Sequence, residues 1–203
     1  MPRVLWIGVW ITAVACPAFA QTPSAAPHPD QHSPHQHEAV APRDESNVDY
    51  FWRKSDEAFH RGDYERAVGL HRAIVALAPD DTQSYGVAAW LLWSMGRGDD
   101  AIAFIARGLK ANPQSAAMWI EAGEHYHLQK KAPEEFAAYR RAVELGPPAD
   151  EAQMTRRQLA HAAERAGDLK AGAQVWRDLV RDFPDEVVNK NNLARVEQLL
   201  PAE

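Results

Sequence analysis

The sequence predicts an all-α protein built from stacked helical hairpins, and three observations carry that prediction. Four prolines recur at nearly constant intervals of 34, 34 and 37 residues: Pro79, Pro113, Pro147 and Pro184. A glycine lies 17 residues before three of these prolines: Gly62, Gly96 and Gly167. Lys130 takes the place of glycine in the third interval. Apolar residues between these points recur at helical spacing, and a period of this length indicates stacked supersecondary units.

The third interval shows the hairpin pattern most clearly. Its first helix carries an aromatic and small-residue stripe at i, i+3, i+4 and i+7: Trp119, Ala122, Gly123 and Tyr126. Its second helix is expected to start at Pro133 and carries the opposing stripe: Phe136, Tyr139 and Ala142. Small residues on the first stripe allow a second helix to approach closely. The interval therefore predicts an antiparallel helix pair.

These residues resemble the tetratricopeptide repeat family, whose signature has tryptophan, glycine and tyrosine on the first helix and alanine, an aromatic residue and proline on the second. The fourth unit diverges most, with Arg156 in place of the aromatic residue and Gly172 in place of alanine. The resemblance covers residues 46–200. It implies a right-handed α-solenoid of about four hairpins, over about 48–81, 82–115, 116–149 and 150–186, with a capping helix at 187–200. Four aromatic residues are expected in its core: Trp119, Tyr126, Tyr139 and Trp176.

Residues 1–20 have the pattern of a secretory signal. Arg3 precedes an apolar run from Val4 to Cys16, and Ala18-Phe19-Ala20 fits a cleavage site. The run is shorter than the roughly 20 apolar residues of a spanning helix, so cleavage is favoured over an uncleaved anchor. Lipidation at Cys16 is a minor alternative. The pattern predicts a periplasmic or secreted protein that does not insert into a membrane after cleavage.

Residues 21–45 are rich in proline and histidine and are expected to be a disordered tether. Four histidines fall within ten residues and suit a divalent transition metal: His28, His32, His35 and His37. The same composition suits a solvated spacer, and no other cofactor is expected. The net charge of −6 argues against a nucleic-acid partner.

A second stripe lies about one residue further around the first helix of each unit, where the core does not require it. It runs from aromatic to charged: Trp52, Asp56, Phe59, Trp90, Trp93, Ile120, Glu124, His127, Arg157 and His161. The family resemblance implies that first helices line a concave surface that binds an extended peptide or a partner helix. Trp52, Trp90 and Trp93 are the leading anchors, since tryptophan is enriched among residues that dominate binding. Packing between first helices, or occupation of the groove by the tether, would also explain the stripe.

The function expected from these features is that of an exported, non-catalytic scaffold that binds an apolar segment of a partner protein. A periplasmic metal-binding protein that uses the histidine tether is the alternative. The sequence has no phosphate loop, nucleophile elbow or zinc-protease pair. Paired carboxylates such as Glu134 and Glu135 fall at helix starts, where the helix dipole explains them without catalysis. Neither the partner's identity nor the oligomeric state follows from the sequence.

Overall fold

The computed structural model describes residues 45–201, which form nine α-helices and contain no β-strand. The helices are α1 (Asn47–His60), α2 (Tyr64–Leu77), α3 (Thr82–Ser94), α4 (Gly98–Ala111), α5 (Ala116–Leu128), α6 (Ala132–Leu145), α7 (Ala152–Arg165), α8 (Leu169–Asp182) and α9 (Val187–Glu197). Consecutive helices pack against each other, and α3 also packs directly against α5. The all-α architecture of stacked helical hairpins is confirmed.

The same turn closes all four hairpins. In each turn a backbone N–H donates to the carbonyl oxygen five residues earlier at 2.9 Å: Asp63 to Ala58, Arg97 to Leu92, Lys131 to Tyr126, and Asp168 to Ala163. The residue before each donor has a positive φ, as this helix-ending motif requires. Glycine supplies it in three turns, with φ between 75° and 85° at Gly62, Gly96 and Gly167. In the third turn Lys130 adopts it with φ 56°.

The recurring prolines follow the second helix of each hairpin. Helices α2, α4, α6 and α8 end at Leu77, Ala111, Leu145 and Asp182, and each proline comes two residues later. Proline has no N–H to donate and restricts the residue before it, so the helix cannot continue through it. Side chains at five helix starts accept a hydrogen bond from a first-turn N–H: Ser46, Asp63, Asp81, Ser115 and Asp168.

The core lies along the contacts between successive helices. Trp176, Tyr85 and Tyr139 are among its largest fully buried side chains. The expectation for Trp119 and Tyr126 is wrong in part, because both are only half-buried at the edge of the core. Met118 is fully buried in that region, while the Trp119 indole donates to the Pro113 carbonyl at 2.9 Å.

Gly123 shows why the first helices carry small residues. A Cβ atom at this position would lie 2.8 Å from the Tyr139 ring, closer than packed carbon atoms approach. Tyr139 therefore packs directly on the backbone of α5, which holds α5 and α6 together.

No helix within residues 45–201 is both long and apolar enough to cross a membrane. The predicted signal at 1–20 and nearly all of the predicted tether at 21–45 lie outside the described residues.

Candidate functional site

The first helices of the first three hairpins, α1, α3 and α5, carry the candidate site. Trp52 on α1 is held in place by its own neighbours. Its indole Nε1 donates to Asp81 Oδ2 at 2.9 Å, and its ring meets the His71 imidazole edge-on at 4.6 Å between centroids. The other Asp81 carboxylate oxygen caps α3 by accepting from the Ser84 N–H at 2.9 Å. The same carboxylate therefore fixes both Trp52 and the start of α3.

An aromatic pocket of about 290 Å³ lies between α1 and α3. The exposed surface inside it is mostly apolar, although polar residues also take part in its lining, which consists of Trp52, Ser55, Asp56, Phe59, His71, Val87, Trp90 and Leu91. The volume lies at the small end of ligand pockets, so it suits one large apolar side chain better than a bulky cofactor. The Phe59 and Trp90 rings meet across it, with centroids 6.2 Å apart.

Two serine hydroxyls hold His71 inside the hairpin stack. His71 Nε2 lies 2.8 Å from Ser55 Oγ, and His71 Nδ1 lies 3.2 Å from Ser84 Oγ. Burial lowers the pKa of His71 to about 4, although Asp81 partly opposes this, so the ring is neutral near pH 7. Ser55 is itself buried within α1, where the backbone N–H groups serve the helix. These contacts join α1, α2 and α3.

Large aromatic side chains remain exposed beside the aromatic pocket. Trp90 is 44% exposed, and Phe59, Trp93 and Tyr64 are each 37% exposed. The Phe59 and Tyr64 ring centroids are 5.6 Å apart, so Tyr64 extends the aromatic surface beyond the predicted stripe. Tryptophan and tyrosine are enriched at protein interfaces because they offer a large apolar area together with a polar tip.

A second pocket of about 280 Å³ lies between α3 and α5 and shares Val87 and Trp90 with the aromatic pocket. We call it the acidic pocket. Its lining residues are Gln83, Gly86, Val87, Trp90, Glu121, Glu124, His125 and Leu128. The Glu121 carboxylate lies directly over Gly86, where any Cβ atom would overlap it. Gly86 therefore lets a carboxylate lie against the surface of α3.

Charges of one sign surround this pocket. Burial, together with the nearby carboxyl groups of Glu124 and Glu151, raises the pKa of Glu121 to about 8. Burial and Glu151 also raise the pKa of Glu124. Within residues 45–201, neither Glu121 nor Glu124 has a cation in ion-pair contact. With a pKa near 8, Glu121 is largely protonated at pH 7, and a bound cation or a rise in pH favours its ionised form.

His125 is the one histidine among the residues that line the acidic pocket. Its Nε2 lies 3.1 Å from the Gly86 carbonyl oxygen, which can only accept, so Nε2 carries the proton. Burial lowers the pKa of His125, and Nδ1 is then an unprotonated acceptor. Within residues 45–201, His125 Nδ1 is buried and has no hydrogen-bond partner.

The predicted site residues therefore divide into two groups. Trp52, Asp56, Phe59 and Trp90 line the aromatic pocket, Glu124 joins Trp90 in the acidic pocket, and Trp93 lies exposed one turn further along α3. The remaining residues line neither pocket: Ile120, His127, Arg157 and His161.

Those four residues contact neighbouring helices instead. Ile120 packs beside the Tyr139 cluster, and His127 Nδ1 lies 3.2 Å from Glu135 Oε1. Arg157 donates to Asn189 Oδ1 and to Glu186 Oε2, each at 2.9 Å. The His161 ring lies edge-on to Trp176 at 5.0 Å between centroids.

Several lining or bordering residues were not among the predicted site residues, and Glu121, His125 and Tyr64 are the ones that the argument uses. Glu121 lies next to the predicted Ile120, so a wider stripe on α5 would have included it. Nothing in the helical pattern indicates that Gly86 opens space for its carboxylate. Tyr64 starts a second helix, a position that the stripe on the first helices does not cover.

No group of three or more His, Cys, Asp or Glu side chains within residues 45–201 is arranged to hold a metal ion. The proposed metal ligands His28, His32, His35 and His37 lie outside the described residues.

Comparison with known families and structures agrees with this architecture. Residues 87–150 match the family model described as tetratricopeptide repeat. No curated protein matches the chain significantly.

Among solved structures, the chain is similar to the MamA protein, at 12% identity over 75% of this chain and 81% of that one, with a TM-score of 0.58. It is similar to TTC0263, a thermophilic TPR protein of Thermus thermophilus, at 18% identity over 75% and 82%, with a TM-score of 0.53. A chain of Naa15/Naa10 bound to HypK-THB matches at 21% identity over 76% of this chain and 23% of that one, with a TM-score of 0.59. Such identities show a shared fold alone.

Proposed function

We propose that the chain is an exported, non-catalytic scaffold whose first helices bind an apolar segment of a partner protein. The tetratricopeptide repeat match over residues 87–150 and the fold shared with tetratricopeptide repeat proteins support this role. The observation that carries this proposal is the aromatic pocket. Its walls are preformed by the bond between Trp52 and Asp81, while Trp90 stays 44% exposed at its edge.

A preformed pocket favours binding because little side-chain entropy is lost when a ligand enters it. Trp52 is already fixed, and the apolar lining between α1 and α3 gains from the removal of water. The shared fold of a chain in Naa15/Naa10 bound to HypK-THB supports an interaction role, since that structure is itself an assembly.

Affinity capture from the cell envelope tests the proposed groove. Trp90→Ala removes an exposed side chain, so the helical content should be unchanged. Truncation of a dominant interface tryptophan costs about 2 kcal/mol or more, which is roughly a 30-fold loss of affinity.

The matched control is Leu77→Ala, which truncates another exposed apolar side chain that lines neither pocket. The proposal requires that a captured partner be lost with Trp90→Ala and kept with Leu77→Ala. Equal capture by both variants would refute the assignment of the binding surface.

Export is part of the same proposal and rests on the pattern of residues 1–20. Amino-terminal sequencing of the protein recovered from its native cells is expected to begin at Gln21. A protein that begins at Met1 in the cytoplasmic fraction would refute export without affecting the groove.

A further inference from the structure

The aromatic pocket and the acidic pocket lie side by side and share the walls Val87 and Trp90. The exposed surface inside one is mostly apolar, and the other is lined by two glutamates. A single extended peptide that crosses Trp90 would therefore present one side chain to each pocket. The two pockets together specify a ligand more narrowly than the aromatic surface alone does.

The groups that line the acidic pocket are mostly acceptors. Glu121 and Glu124 both line the pocket, and each is acceptor-only when ionised. A complementary group must donate several hydrogen bonds and carry positive charge. Lysine ammonium and arginine guanidinium groups are pure donors with that charge.

Trp90 favours arginine of the two. A guanidinium is planar and stacks on an indole face while its edge donates to a carboxylate, whereas an ammonium is a compact point charge. The exposed Trp90 ring is the wall between the two pockets, so it is placed for such stacking.

We propose that the groove recognises a partner segment that carries a large apolar side chain and, a few residues away, an arginine or lysine, with Glu121 and Glu124 binding the basic group. This inference rests on the proposed function, because the apolar side chain is the anchor in the aromatic pocket. Beyond the proposed function, it specifies that the partner segment carries a positive charge and that its basic residue lies a few residues from the apolar one.

The tether of this chain is a poor candidate for the occupant. Residues 21–44 contain no Phe, Trp, Tyr, Leu, Ile or Met, so they have no large apolar side chain for the aromatic pocket. They carry a single arginine, Arg43, among Asp30, Glu38 and Asp44. Charge and apolar content both favour a separate partner.

The pH dependence of binding supports the same assignment. The titratable groups around Glu121 are Glu124 and His125 on α5, Tyr139 on α6 and Glu151 before α7. The pKa of Glu121 is raised to about 8 by its burial and by neighbouring acids. A bound cation favours the ionised form, so binding is expected to strengthen as the pH rises towards 8 and to release protons.

A selection from random 10-residue peptides, displayed on phage and bound to the purified protein, tests the proposal. It is run with the full chain and with residues 21–203. The selected sequences are expected to combine one large apolar residue with a nearby arginine or lysine. Synthetic peptides from the selection then give dissociation constants by fluorescence anisotropy.

The decisive variant is Glu121→Gln/Glu124→Gln, which keeps the shape of both side chains. Removing both charges is expected to weaken binding of a selected peptide about 10-fold or more, and to abolish the preference for the basic residue. Because Glu121→Gln is expected to be at least as stable as the parent across this pH range, loss of folding is not expected to explain weaker binding. Asp99→Asn/Glu134→Gln makes the same change of charge on α4 and α6 and is expected to leave binding within about two-fold.

The outcomes separate the two proposals. Peptides that are apolar but not basic, with binding lost in Trp90→Ala and kept in Glu121→Gln/Glu124→Gln, would overturn this inference and leave the scaffold function standing. Peptides whose binding is unaffected by Trp90→Ala would overturn both. Competition by a synthetic peptide of residues 21–44, or a dimer in sedimentation velocity that Trp90→Ala dissociates, would overturn the assignment of a separate partner, because the chain itself would then occupy the groove.

Discussion

Within residues 45–201, Lys130 is the one non-glycine residue with a positive φ. It has φ 56° at the turn position where the other hairpins have glycine. The left-handed conformation costs a residue with a Cβ atom about 1–2 kcal/mol, and glycine avoids that cost. The turn forms nonetheless, because the Lys131 N–H bond to the Tyr126 carbonyl and the packing of α5 on α6 impose it.

Lys130→Gly is therefore expected to stabilise the protein. The relief of strain exceeds the extra unfolded-state entropy of glycine by about 0.5–1 kcal/mol, which corresponds to a rise in Tm of about 2 °C. Thermal unfolding followed by circular dichroism measures it. Lys131→Gly is the control, because it removes the same charge one residue later, where φ is −93°. An equal gain from both variants would show that charge, and not backbone strain, limits stability.

Glu121 makes stability depend on pH in a defined direction. Its pKa is raised to about 8 in the folded protein from an ordinary value of 4.5. Between these values the unfolded chain binds fewer protons, so the free energy of unfolding falls as the pH rises. The contribution is fully present below pH 4.5 and is lost by about pH 8.

Glu121→Gln is thus expected to be more stable than the parent at pH 9 and nearly equal to it at pH 4.5. Urea unfolding at the two pH values provides the comparison. The pKa of His71 is lowered to about 4, which weakens the fold below pH 6.5 in both proteins and cancels in their difference. A gain that is the same at both pH values would contradict the raised pKa of Glu121.

Individual residues also show how far the sequence can be interpreted. Trp52 and Trp90 could be assigned to the groove because the apolar pattern repeats in the same register on α1 and α3. In that register both positions lie beside the stripe of core residues. The acidic pocket could not be predicted, because it depends on the Glu121 side chain lying over Gly86, a contact between hairpins 35 residues apart. The partial exposure of Trp119 could not be predicted either. Met118 occupies the core there, and local spacing does not distinguish between the two neighbours.

At the scale of helices, α6 and α7 are joined by a buried carboxylate. The Glu135 side chain is only 1% exposed. Its carboxylate accepts hydrogen bonds from Arg165 Nε, at 3.1 Å, and from Arg165 Nη2. His127 on α5 lies within 3.2 Å of the same carboxylate. Carboxylates at the first turn of a helix were explained from the sequence by the helix dipole. For Glu135 the helix dipole is only part of the explanation, because its carboxylate also binds Arg165, which is 30 residues away in the sequence.

Arg165→Met is expected to destabilise the protein by about 2 kcal/mol, because it leaves the Glu135 charge buried without its partner. The figure is below that of a fully buried pair, since the Arg165 side chain is 37% exposed. Adding Glu135→Gln to Arg165→Met should recover part of the loss. Urea unfolding of the four proteins in this cycle measures the coupling, and a double variant as unstable as the sum of the two single ones would contradict it.

At the scale of the whole described molecule, the core passes from hairpin to hairpin and ends at α9. One buried cluster spans α1 to α6, a second joins α6 to α7 through Tyr139 and Leu159, and a third places Trp176 against Val196 of α9. Each hairpin buries its apolar stripe against the next, as repeat arrays require. The repeat period predicted this arrangement because every unit presents the same face. The aromatic residues on α1 and α3 that remain exposed do not take part in this packing between hairpins.

Site-specific photo-crosslinking in the native cell tests most directly whether this exposed aromatic surface binds a partner. A benzoylphenylalanine replaces Trp93, which is exposed on α3 beside Trp90 but lines neither pocket, or Leu77, which is exposed on α2. A discrete adduct is expected from position 93, and it should disappear when Trp90→Ala is present in the same chain, whereas position 77 should give no adduct. The same adduct from position 77, or no adduct from position 93, would contradict the proposed binding surface.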